Sequence, residues 1–245
     1  SMMDSVYWGN GWSWDDVPAS FQPYMSPLML NRGCVDVTVS PTVKDSLPDV
    51  VCVPASDYYQ VDNDAVSFQS QAGKLKVSRN WLSNGNLIHI SGNVSKPETK
   101  TLSVYDSKNF FFHTFVNRLK QRGVEVNQIA FANCPESDSL TVVYPLFTLE
   151  RPIGEVLKQM MKESDNLCAE SMFYHLAMHH VNHKRVSDKD GSAAIYHFMK
   201  ERLGFNPEYY NIVDGSGGSL YNYVSPRLWL KSLKRKDPRE TQPPL

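Results

Sequence analysis

Nothing in this chain approaches the run of roughly 18 apolar residues that crosses a bilayer as a helix, so no transmembrane segment is read in it. The N-terminus lacks a basic stretch followed by an apolar one, the pattern of a secretory leader. An excess of one charge is missing too: 25 Lys and Arg stand against 26 Asp and Glu, for a net charge of -1. That balance removes the electrostatic ground for a nucleic-acid partner. Cysteine is scarce, with 4 in 245 residues. Cys34, Cys52, Cys134 and Cys168 lack the CxxC spacing of a zinc or redox pair, and they read as buried thiols acting as small hydrophobes. There is no internal repeat, no HExxH, and no glycine loop followed by Gly-Lys-Ser/Thr. What remains, 41% hydrophobic and 21% charged, is ordinary globular composition with room for one large domain or two smaller ones.

Pattern along the chain divides it. Residues 7–33 are dense in Trp, Tyr, Gly and Pro with neither helical nor strand period, which describes an ordered loop carrying an aromatic patch. From Cys34 the pattern alternates: in CVDVTVS, Val35, Val37 and Val39 share one face of a half-buried strand. KLKVSRN, LIHISGNV, TLSVYD and LTVVYP read as further short strands, with SNGN a turn between two of them. One helix interrupts, SKNFFFHTFVNRLKQRG, its expected stripe being Phe111, Phe112, Phe115, Val116 and Leu119 and its stop Gly123. After Pro145 the period becomes helical. Ile153, Leu157 and Met160 form one face. Ala169, Phe173, Leu176 and Ala177 open a second helix, and Ile195, Phe198, Met199 and Leu203 a third that ends at Gly204. Ser225 and Pro226 start a fourth, carrying Leu228 and Trp229 inward. The tail beyond Leu233 loses all period and reads as disordered.

Four stretches hold candidate chemistry. Ser164, Asp165 and Asn166 break the helical stripe, as either a helix cap or part of a site. VDGSGGSLYNYVSP, residues 213–226, is either a glycine connector or a backbone-shaped binding loop. His175, His179 and His183 fall at i, i+4 and i+8 of one helix; with no carboxylate placed as a fourth ligand they read as a solvated face. Asp15 and Asp16 beside Trp12 and Trp14, with Phe21 close behind, suit a ligand pocket as well as plain packing.

In order, the aromatic GxGWxWDD segment, the β-rich middle, SDNLxAE and DGSGxSxxNxxSP resemble the penicillin-binding proteins of class C, type 4, which are D-alanyl-D-alanine carboxypeptidases and endopeptidases of the bacterial envelope. The resemblance runs from about Tyr7 to Leu230. It implies an α/β (α+β) fold: an incomplete penicillin-binding, β-lactamase-like transpeptidase domain, formed by residues 1–24 and 148–245, with a β-rich insertion at 25–147. It implies serine acyl transfer on peptidoglycan stem peptides, with β-lactams as mimics, no cofactor and no metal. The catalytic residues it marks here are Ser164, passing a proton towards the leaving D-alanine, and Asn166, donating to the peptide carbonyl. Asp16, Phe21, Asp165, Ser216 and Gly217 would bind substrate, and the place of work would be the periplasm.

Two family elements are missing from these 245 residues. No Ser-x-x-Lys occurs; Ser40 to Lys44 and Ser70 to Lys74 are each one residue too long. No Lys-Thr-Gly or His-Thr-Gly occurs either. The expectation is a fragment without its nucleophile and inactive alone, the alternative being a non-catalytic scaffold that binds peptidoglycan peptides or protein. Open β edges lead to an expected homodimer or aggregate. Where the family's glycine loop often carries Leu and then Arg, this chain has Gly218 and Leu220, which removes a cation able to pair with a substrate carboxylate.

Overall fold

The computed structural model describes residues 3, 6, 9–80, 82–128, 148–181 and 185–234. Its strands are β1 (Cys34–Ser40), β2 (Asp49–Val53), β3 (Gln60–Ser67), β4 (Lys76–Arg79), β5 (Leu87–Val94) and β6 (Glu98–Ser103). Its α-helices are α1 (Ser107–Gln121), α2 (Ile153–Lys162), α3 (Asn166–His180), α4 (Asp188–Phe198) and α5 (Pro226–Leu233). The fold is a mixed α+β one. The expected strand LTVVYP and Cys134 lie outside the described residues.

Alternation decides β1. Val35, Val37 and Val39 are wholly buried while Asp36, Thr38 and Ser40 stay half-exposed, each valine contributing about 1.5–3 kcal/mol of transfer free energy. β1 pairs antiparallel with β2 on one side and β6 on the other, in the order β2-β1-β6. The second sheet is β3-β5-β4, with β3 parallel and β4 antiparallel to β5. The β4–β5 turn contains the expected SNGN stretch, Asn84 adopting φ +52°. Inside β5, Gly92 has φ +96°, and a Cβ there would lie 2.2 Å from the Lys74 carbonyl oxygen, so a side chain would drive the two segments apart. The two sheets share one core, drawn from residues 35–110 and closed by Phe110 of α1.

α1 corrects the expected stripe. Its buried residues are Ser107, Phe110 and Thr114, and Phe115 is 49% exposed. Three consecutive phenylalanines, 110–112, span roughly 200° of a helix surface, so their period leaves the buried face undetermined. Tyr58 and Tyr59, lying against Phe110, select it. The helix is capped by Asp106, which accepts from the Asn109 amide, and Gly123 follows its end with φ +78°.

The helical part has separate cores. Phe173, Tyr174 and Ala177 of α3 pack with Met3, Met25 and Val186. α4 crosses close against α3 at Gly191, whose Cβ would meet the Phe173 ring at 2.6 Å. α4 runs into a π-helical turn, Met199–Leu203, ended by Gly204 at φ +65°, and Met199 and Leu203 pack on Leu228. One expectation fails here: Trp229 of α5 is 61% exposed beside a buried Leu228. The apolar face of α2 is present, but no residue of that helix is buried, Ile153 being 61% exposed.

The irregular segment 9–33 is ordered because both parts of the molecule hold it. Ser103 donates its amide to the Pro18 carbonyl, Val104 its amide to Gly33, and the Ser107 hydroxyl bonds the Tyr24 carbonyl at 2.6 Å. Arg79, 3% exposed, donates to Ser103 O, Gly85 O and the Tyr24 hydroxyl, which satisfies a buried guanidinium with neutral acceptors.

Candidate active site

The break between α2 and α3 is a helix stop and a helix start placed back to back. Ser164 has φ +51°, and the Asp165 amide reaches the Met160 carbonyl at 3.2 Å. This is the six-to-one closure of a Schellman stop, with Ser164 in the left-handed position that glycine normally fills. Asp165 then caps α3: its Oδ1 accepts from the Cys168 amide at 3.1 Å. The stripe breaks because two capping devices occupy three residues.

The three side chains differ in environment. Ser164 is exposed and Asn166 half-buried, whereas Asp165 is buried. Asp165 Oδ2 accepts from Arg32 Nη1 at 2.5 Å and Gln159 Nε2 at 3.3 Å, so both its oxygens are engaged by the protein itself. Burial works to raise its carboxyl, but Arg32 and the Cys168 amide outweigh burial and leave it below the ordinary value. Asn166 Nδ2 donates to the Phe21 carbonyl at 3.0 Å, keeping its second N–H available.

Two cavities meet at Asn166 and Phe21. One, of about 390 Å³, is lined by Ser164, Asp165 and Asn166 on one wall and by Arg32, Asp36 and Thr101 on the other. The second, of about 50 Å³, brings Asp16 and Phe21 from the aromatic segment to Asn166 of α3 and Ser216 and Gly218 of the glycine loop. Residues from three distant stretches of sequence thus line the second cavity, and Phe21 and Asn166 border both. Asp16 and Phe21 are both exposed at the rim of the second.

Asp214 shapes the glycine loop. It is buried and accepts from Gly217 N, Ser219 N, Asn222 Nδ2 and Trp12 Nε1, the last at 2.9 Å. Gly217, φ +81°, therefore acts in turning the loop. Gly215 lies flush on α3: a Cβ there would stand 2.6 Å from the Ala169 carbonyl oxygen. The residue that sequence reasoning passed over is Glu170. Its Oε1 accepts from the Gly215 amide at 3.1 Å and the Ser216 amide at 2.8 Å, clamping the loop to α3. Burial is the main influence on its carboxyl and raises it, with Asp214 adding to the effect against the Ser216 and Gly215 donors. The signal was present: Glu170 follows Asn166 by four residues, on the same helix face.

His175 and His179 are exposed on α3, and His183 lies outside the described residues. Among the described residues no group of His, Cys, Asp and Glu is arranged to hold a metal ion. Cys34, Cys52 and Cys168 are free; burial pushes the Cys34 thiol up to about 12.

A sequence profile of the D-Ala-D-Ala carboxypeptidase 3 (S13) family matches residues 1–243. The chain belongs to that family. Among curated proteins this S13 chain is 24% identical over 231 residues to the D-alanyl-D-alanine carboxypeptidase DacB of Haemophilus influenzae, covering 92% of this chain and 47% of that protein. It is 22% identical over 236 residues to the penicillin-sensitive carboxypeptidase A of Dictyostelium discoideum, covering 89% and 42%. The crystal structure of penicillin binding protein 4 (dacB) from Haemophilus influenzae superposes with a TM-score of 0.69 at 20% identity, over 95% of this chain and 51% of that one. A complex of the same protein with a novel β-lactam gives 0.63 at 23% identity, over 89% and 49%. These likenesses establish the fold. The S13 chain spans less than half the length of the curated relatives it matches.

Proposed function

We propose that this chain supplies the Ser-x-Asn and glycine-loop walls of a serine-type D-Ala-D-Ala carboxypeptidase or endopeptidase acting on peptidoglycan stem peptides in the cell envelope. The observation that carries the proposal is the meeting of Asp16, Phe21, Asn166 and Ser216 around one cavity, with exposed Ser164 lining a neighbouring cavity that shares Phe21 and Asn166 with it. The nucleophile would come from polypeptide outside these 245 residues, since they hold no Ser-x-x-Lys.

In the proposed reaction the nucleophile's oxygen bonds to the carbonyl carbon of the penultimate D-alanine, and the bond from that carbon to the terminal D-alanine nitrogen breaks. The proton lost by the nucleophile reaches that nitrogen through the Ser164 hydroxyl, which donates to it and is reprotonated from the nucleophile's side. Asn166 keeps one N–H on Phe21 and offers the other to the substrate's peptide carbonyl. Asp16 and Phe21 contact the diamino-acid side chain, the carboxylate meeting its ammonium and the ring its methylene stem. Leu220 is 82% exposed and offers no charge to a substrate carboxylate. Water then releases the acyl group and restores the nucleophile. β-Lactams would enter the same groove in the complete protein. Asp165 serves as the cap and ion-pair partner that holds the two flanking residues.

Incubation with a fluorescent penicillin tests the proposal. The 245-residue chain is expected to show no stable covalent label, and a longer product of the same gene carrying a Ser-x-x-Lys is expected to label. A stable adduct on this chain contradicts the placement of the nucleophile elsewhere. No labelling of the longer product contradicts acyl transfer itself.

A further inference from the structure

Two turns face each other across the larger cavity, and both hold non-glycine residues in left-handed conformations: Asn31 and Arg32 at φ +45° and +59°, and Ser164 at φ +51°. Consecutive left-handed L-residues persist where surrounding structure over-determines them. It does so here. The Asn31 side-chain amide donates to the Cys34 carbonyl at 3.1 Å and to Asp36 Oδ2 at 3.2 Å, anchoring the turn on β1. The Gly33 amide closes on the Leu30 carbonyl at 2.9 Å, and the Gly33 carbonyl accepts from Val104 at 2.8 Å. The product of this turn is the placement of one guanidinium: Arg32 Nη1 stands 2.5 Å from Asp165 Oδ2, its own side chain half-exposed while that of Asp165 is 2% exposed.

An exposed ion pair contributes little, but a buried carboxylate that loses its cation is left with a large desolvation cost. Asp165 retains Cys168 N and Gln159 Nε2 as its other donors. Its Oδ1 bond to Cys168 sets the first turn of α3, and its two neighbours are Ser164 and Asn166. We infer that Arg32 is a positioning residue: through Asp165 it fixes the turn that carries Ser164 and Asn166, so a turn anchored on β1 controls the geometry of the groove. Its catalytic significance rests on the proposed function, but the coupling itself does not. Arg32 touches neither of the two residues it orients; the effect passes through one carboxylate.

Amide exchange and side-chain amide resonances of the 15N-labelled chain test this without any turnover. Arg32→Gln is expected to speed exchange at Cys168 and Ala169 by at least about tenfold and to shift the Asn166 side-chain resonances, while Val37 in β1 and Ala177 in α3 change by less than about twofold. Arg32→Lys, which keeps the charge, is expected to recover most of the Cys168 protection. Asp165→Asn is expected to loosen the same amides, and Arg32→Gln added to it to do nothing more, because both remove one interaction. A simple packing role would speed all amides together, and that result overturns the inference. So do unchanged Cys168 and Ala169, or additive effects of the two substitutions. If Arg32→Gln does not fold, Arg32→Lys and Asp165→Asn still decide the matter. Failure here leaves acyl transfer standing, and failure of penicillin labelling leaves this coupling standing.

Discussion

Asp165 and Glu170 sit five residues apart on adjoining turns of one helix, yet their carboxyls move in opposite directions. Asp165 is met by a guanidinium and an amide; Glu170 meets only neutral donors and the nearby charge of Asp214. The consequences for stability have opposite signs. The lowered carboxyl of Asp165 stabilises the fold above its ordinary value of 3.8 and loses that contribution as pH falls through its folded value. The raised carboxyl of Glu170 contributes fully below its ordinary value of 4.5 and loses that contribution as pH rises through its folded value. Urea unfolding of variants across the acid range separates the two. Asp165→Asn is expected to lower stability near neutral pH, by an amount that shrinks towards about pH 2.5. Glu170→Gln, which imitates the protonated form, is expected to gain on the parent chain as pH rises from about 4 to about 8. Parallel curves for parent and variants would show that neither carboxyl carries the shift.

At the scale of elements, α2, its turn and α3 show what a sequence does and does not disclose. SDN was visible as a break in the stripe, because small polar residues interrupt an apolar period. The cap reading falls on Asp165, which caps α3, and on Ser164, which ends α2, while all three residues border the larger cavity. The left-handed conformation of Ser164 was hidden, since it arises from the closure of α2 on Met160. Arg32 was also hidden, for its partner is remote in sequence and nothing local marks it; the place of Glu170 on the face of Asn166 was legible, but its partners Gly215 and Ser216 were not. β2 and β3 escaped notice for another reason. β2 is an edge strand with no buried residue, and β3 buries only Ala65 and Ser67, so neither presents a full alternation. Ser164 gives this scale its prediction. Glycine there removes the left-handed penalty, and Ser164→Gly is expected to raise stability by about 0.5–1 kcal/mol, read from the urea midpoint. A loss of stability would mean that the hydroxyl itself supports the turn.

The whole molecule carries apolar faces that the described residues do not cover. On α2, Ile153 is 61% and Met161 72% exposed; on α5, Trp229 is 61% and Leu233 80% exposed. Both helices are amphipathic; the stripe of α2 was legible in the sequence, while the inward turn expected of Trp229 on α5 was not met, because sequence does not reveal whether a partner surface is present. Exposed stripes of this kind drive association in water. The chain is expected to bind a hydrophobic dye and to gain mass with concentration in analytical ultracentrifugation. Replacing Leu157 and Met161 with lysine is expected to suppress both effects without lowering the unfolding midpoint. A monomer at high concentration that binds no dye would contradict this.

The same scale holds the central claim, that the Ser164 hydroxyl and the Asn166 amide form the gripping wall of a groove for D-Ala-D-Ala peptides. The most direct test is the rate of D-alanine release from a stem-peptide substrate by the proposed longer product carrying a Ser-x-x-Lys, with and without Ser164→Ala. The account predicts a fall of about 100-fold or more in kcat, with folding and the penicillin-accessible serine retained. An unchanged rate would contradict it.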